Sequence, residues 1–162
     1  MGRLKVTMLS LLLSVALIAP AAAQAPRDRH AGYYYPQPVS IEAYKARSQT
    51  LPDTNRRRRI GFIINIAGSM RARPYPPMFD IFPKGENAEK LIIVSTRGDA
   101  YDTLYRARGL LARLTAFARV SPLFKKHAVE DYFTFLDLCK LMGFRQLTVS
   151  DGRHFAHQFK IQ

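Results

Sequence analysis

The alternation of side chains around Asp151-Gly152 constrains this chain more than any other feature. Leu147 and Val149 make an apolar set before the turn, and Phe155, His157, Phe159 and Ile161 make one after it. His154, Gln158 and Lys160 take the other face. Successive strand residues point to opposite faces, so a slip of one residue would invert every side chain. A two-residue Asp151-Gly152 turn pairs Val149 with His154 and separates the apolar sets. A three-residue loop over 151–153 pairs Val149 with Phe155 and Leu147 with His157, and unites them. The pattern therefore predicts the longer loop, or a bulge beside a tight turn.

Further periodicities build outward from this hairpin. Ile60 to Ala67 alternates as a strand, with Ile60, Phe62, Ile64 and Ile66 on one face. Arg71 to Pro77 holds three prolines, which cannot donate to a central ladder, and is a loop. Met78 to Phe82 and Leu91 to Thr96 supply two more strands, the latter starting apolar on both faces. Over 101–120, Leu104, Ala107, Leu111, Leu114 and Ala118 form a helical stripe that Leu110 and Phe117 widen, and Asp99 is the expected cap. Ser121-Pro122 ends that helix or opens the next turn. A second helix spans 130–142, with Gly143 as a left-handed stop. The expected fold class is α+β: a small antiparallel sheet of about five strands, with two main helices packed on one face.

The N-terminal third has a different character. Arg3 and Lys5, the apolar run Met8 to Ile18 and the small residues Ala21 and Ala23 follow the order of a secretory signal peptide, cleaved after Ala23. The rival reading, a retained membrane anchor, needs about 20 apolar residues, and this run is shorter. Removing residues 1–23 from the 162 leaves 139, which suits one domain. Lys plus Arg falls from 25 to 23 while the 12 acids stay, so the mature net charge is +11. Residues 24–59 form a flexible basic arm, with a short helix over 40–48 that Ser40 could cap; residues 60–162 form the single α+β domain. Cys139 is the only cysteine, which excludes a disulfide within the chain.

Five stretches carry a resemblance: LPDTNRRRRIGF (51–62), EKLIIVS (89–95), TLYRARGLLA (103–112), VEDYFTFLDL (129–138) and LTVSDGRHFAHQ (147–158). Together they resemble a group of short exported bacterial proteins of unknown activity, some of which are named molybdopterin-guanine dinucleotide biosynthesis protein A. That name implies a nucleotidyltransferase role in molybdenum-cofactor synthesis. Such enzymes grip their nucleotide with a Gly-rich loop between strand and helix. The nearest stretch here, Ala67-Gly68-Ser69-Met70-Arg71, has one glycine.

Candidate chemistry is sparse, and no catalytic residue can be assigned. His154 and His157 lie three apart and point to opposite faces of a strand, so no metal site is expected. His157 fits a core-edge histidine with a hydrogen-bonded ring nitrogen. Cys139 with His127 could mimic a thiol nucleophile and base, yet Cys139 falls among Phe135, Leu136 and Met142, where burial deadens a thiol. Asp80, Asp99, Asp102, Glu130, Asp131, Asp137 and Asp151 could include an acid-base pair. Helix starts already account for Asp99, Asp102, Glu130 and Asp131, and the turn accounts for Asp151. Arg97-Gly98-Asp99 spells an adhesion tripeptide that chance readily produces. No cofactor motif is present.

The basic residues remain. Arg56, Arg57, Arg58 and Arg59 form the densest run, and Arg71 and Arg73 extend it. Such charge draws a protein to anionic lipid, polysaccharide or an envelope protein. Nucleic-acid readers interleave exposed aromatics with the basic groups, and only Tyr33 to Tyr35 and Tyr75 qualify. The leading expectation is an exported, periplasmic, non-enzymatic binder of an anionic or envelope partner. The alternative is an exported hydrolase whose site forms only in the fold, for instance around Asp80, His157 and a second acid.

Overall fold

A computed structural model describes residues 37–98 and 100–162. The expected signal peptide, the tyrosines 33–35 and the Asp99 cap lie outside the described residues. Five strands form one mixed sheet: β1 (Ser40–Tyr44), β2 (Phe79–Lys84), β3 (Lys90–Ser95), β4 (Gln146–Ser150) and β5 (Ala156–Ile161), in spatial order β1-β5-β4-β3-β2. The four helices are α1 (Arg56–Arg71), α2 (Leu104–Arg119), α3 (Pro122–Lys126) and α4 (Phe135–Leu141). No helix among the described residues is long and apolar enough to cross a membrane.

The strand count and the mixed α+β class agree with the sequence pattern, but the pairing is mixed rather than antiparallel. β2 with β3 and β4 with β5 are antiparallel, while β1 with β5 and β3 with β4 are parallel. The β3–β4 pair is parallel because three helices intervene, as a parallel neighbour needs a long crossover. Pro83 sits inside β2 opposite Leu91, which is tolerable because β2 is an edge strand.

Two expected elements exchange type. The 40–48 segment is not a helix: Ser40–Tyr44 is edge strand β1, paired with His157 to Ile161. The 60–67 segment is not a strand but the middle of α1. There the Asn55 side chain accepts from Arg58 N–H at 2.9 Å, and Arg59, Ile63, Ile66 and Met70 form the buried stripe at helical spacing. Ile64, assigned to the apolar strand face, is 63% exposed.

The remaining helices follow their patterns more closely. α2 buries Ala107, Leu110, Leu114 and Ala118, and Thr103 caps it. Helix α4 starts at Phe135 rather than Glu130, because Thr134 and Asp137 make a reciprocal capping box there. Gly143 follows it at φ +78°, as expected for a left-handed stop. Leu91, Ile93, Leu147, Val149, Phe159 and Ile161 join the α1, α2 and α4 stripes in one apolar core.

The hairpin has the expected facing and a longer loop. Val149 pairs with His157 and Leu147 with Phe159, two residues on from the expected partners, so the apolar sets still share a face. Asp151 explains the extra length. Its Oδ1 accepts from the N–H groups of Arg153, His154 and Phe155 at 2.8–3.0 Å, which organises a five-residue loop over 151–155.

Candidate anion-binding pocket

α1 begins with four arginines and no acid in its first turn, the reverse of what a helix dipole favours. Three of them point to solvent, and Arg58 pairs with Asp53. Arg59 does not. It heads the buried stripe of α1, is only 8% exposed, and its Nε donates to the Asn87 carbonyl at 2.9 Å. Burying a guanidinium without a counter-charge is costly, so its surroundings matter.

Those surroundings form a cavity of about 460 Å³ lined by Thr50, Thr54, Arg59, Asn87, Glu89, Lys140, Gly143, Phe144 and Arg145. Each wall has a local cause. Thr50 and Thr54 belong to the segment between β1 and α1, held against α4 by Leu51 N–H to Leu141 O at 3.0 Å. Lys140 stands in the last turn of α4, and Arg145 follows the chain reversal that Gly143 permits. Gly143 also makes room: a Cβ there would come within 2.8 Å of an Arg59 guanidinium nitrogen and 3.0 Å of Thr54 Oγ1.

The charge is one-sided. Arg59, Lys140 and Arg145 bring three cations, and none forms an ion pair among the described residues. The one carboxylate, Glu89, has its Oε2 engaged by the Asn87 N–H at 2.9 Å. A concave site of net positive charge, with a buried guanidinium and two hydroxyls, is suited to an anionic group.

The other predicted basic residues do not converge here. Arg71 lies at the far end of α1, about 22 Å from Arg56 along the helix axis, and pairs with Asp80 at 2.8 Å. Arg73 stacks over the Phe117 ring at 4.6 Å from its centroid. Sequence reasoning missed Thr50, Thr54, Lys140 and Arg145. The one available signal was the spacing of Arg59, Ile63, Ile66 and Met70, which the competing alternation of Ile60, Phe62, Ile64 and Ile66 obscured.

The candidate acids and nucleophiles scatter. Asp80 on β2 stands three strands from His157 on β5, about 14 Å across the ladder. Asp137 is fully buried and accepts from Tyr44 Oη, Arg47 N and Thr134 N and Oγ1, so it ties β1 to α4. Cys139 is buried, and burial pushes its thiol well above the ordinary range. His154 is exposed in the 151–155 loop. No group of metal-ligating side chains occurs among the described residues.

His157 does find an acid, though not Asp80. It is 2% exposed; Nδ1 lies 2.5 Å from Ser40 Oγ and Nε2 lies 3.4 Å from Glu42 Oε2 without a hydrogen bond. A carboxylate only accepts, so the proton belongs on Nε2 and the Ser40 hydroxyl donates to Nδ1. Glu42 is held by Arg108 at 2.9 Å, which lowers its carboxyl below the usual range. Burial pulls the His157 imidazole below its ordinary value, against the opposing pull of Glu42. Compared with known proteins, the chain matches no family model, no curated protein and no solved structure.

Proposed function

We propose that this protein is an exported, non-enzymatic domain that binds an anionic partner through the pocket of Arg59, Lys140 and Arg145. The observation that carries this reading is Arg59 itself, a guanidinium 8% exposed that opens into a cavity with no ion-pair partner among the described residues. The exposed Arg56, Arg57 and Arg58 beside it add long-range attraction toward an anionic envelope surface, whether lipid, polysaccharide or protein. The test is calorimetric titration with inorganic phosphate at low and high salt. Binding is expected, weaker in salt, and reduced about tenfold by Arg145→Gln, the size of one lost charge-assisted hydrogen bond. Arg145 is exposed, so this variant keeps the fold. Equal binding by the variant and by the original chain would sink the reading.

A second reading, an exported hydrolase, draws on Ser40, His157 and Glu42. The hydroxyl, imidazole and carboxylate stand in an order that could activate Ser40. Against it, Ser40 and His157 line neither the cationic cavity nor the apolar one beside α3. Labelling by a fluorophosphonate that is lost in both Ser40→Ala and His157→Gln would favour this reading. The nucleotidyltransferase role gains no support from the segment 67–71, which is the last part of α1 rather than a loop between a strand and a helix.

A further inference from the structure

The cationic pocket has an apolar neighbour. On the other side of the contact between the 50–51 segment and the end of α4 lies a cavity of about 340 Å³. Leu51, Leu123, Val129, Phe133 and Leu141 line it, all half-buried, with the exposed His127 at its rim. Consecutive residues line the two cavities. Thr50 and Lys140 line the cationic one, Leu51 and Leu141 the apolar one. Two hydrogen bonds fix this wall: Thr50 Oγ1 to Lys140 O at 3.1 Å, and Leu51 N–H to Leu141 O at 3.0 Å. A half-buried apolar cavity gains from any occupant that removes its surface from water. Here the adjoining charge selects which occupant.

We infer that the two cavities form one site for a single-chain anionic amphiphile of the alkyl phosphate class, its phosphate among Arg59, Lys140 and Arg145 and its chain over Leu51 and Leu141. This rests on the anion-binding reading above and specifies the partner. The charge complementarity has the required sense, with three cations against the one carboxylate of Glu89 on one side of the wall and an almost wholly aliphatic and aromatic lining on the other. Each half alone is expected to bind more weakly than the two together. Inorganic phosphate leaves the apolar surface wet, and a neutral alcohol leaves the cations unpaired.

The chain-length dependence of affinity in the unmodified protein tests this without relying on a variant that might not fold. Inorganic phosphate, butyl phosphate, octyl phosphate and 1-octanol are titrated in turn. Each methylene that enters the cavity is worth about fourfold in affinity, so octyl phosphate should exceed inorganic phosphate by about 200-fold if four are buried. Leu123→Ser should remove most of this gain and leave inorganic phosphate binding unchanged, and Arg145→Gln should weaken both phosphates alike. If octyl phosphate binds no better than inorganic phosphate, the amphiphile inference falls and the anion pocket stands. If 1-octanol binds as tightly as octyl phosphate, the cavities act separately and the inference also falls. If no phosphate binds at all, both readings fail together.

Discussion

His157 shows at the scale of one residue how burial decides a titration. The groups facing it are Ser40 on Nδ1, Glu42 near Nε2, Arg108 behind Glu42, and the edge-on Phe159 ring. Burial holds its folded-state value below the ordinary one. The unfolded chain therefore binds the proton first as pH falls, so stability is complete above about 6.5 and declines below it, until the folded value is passed. Asp151 acts lower. Burial alone would raise its carboxyl, but the N–H groups of Arg153, Phe155 and His154 hold it below the usual value, so its stabilisation goes only as pH falls through the acid range. Urea unfolding at several pH values should show a loss beginning near pH 6.5 that is absent in His157→Gln. An equal loss in that variant would assign it to another group.

Among the elements, α1 and the turn after α4 are coupled through Gly143 and Arg59. Gly143 has φ +78°, and a Cβ would press on the Arg59 guanidinium. Gly143→Ala should therefore cost about 1–2 kcal/mol from the left-handed backbone, and it should also displace Arg59 and weaken phosphate binding. Thermal unfolding and phosphate titration on the same variant check both effects. A variant that loses stability but keeps full binding would show that Arg59 does not face the anion. The α1 segment also explains why part of the fold was illegible. Ile60 to Ile66 satisfies a period of two and a period of 3.6 at once, and β-branched residues tipped the reading toward strand. The Asn55 cap and the burial of Ile63 and Met70 settle it as helix. Ser40–Tyr44 is the converse case, a five-residue stretch too short to signal a strand until β5 offers an edge.

On the scale of the whole molecule, the cationic pocket draws on parts of the chain that are far apart: residues 50–59, 87–89 and 140–145. They meet because β1 returns alongside β5, which leads the 45–54 segment past α4 before α1 begins. Export remains a proposal from residues 1–23. Mass spectrometry of protein recovered from its host should find a mature chain beginning at Gln24, and an intact N-terminus in the membrane pellet would indicate an anchor instead.

The sequence by itself determined the features that depend on near neighbours. These include the facing of the final hairpin, the buried stripe of α2, the stop at Gly143 and the burial of Cys139. Each follows from a period or a single backbone requirement within a short window. Tertiary structure alone decided the parallel pairing of β1, the helical state of 60–67, and the identity of the one arginine that is buried among the described residues. Those outcomes turn on contacts between residues many positions apart, where two local conformations are close in energy and the surface each can bury selects between them.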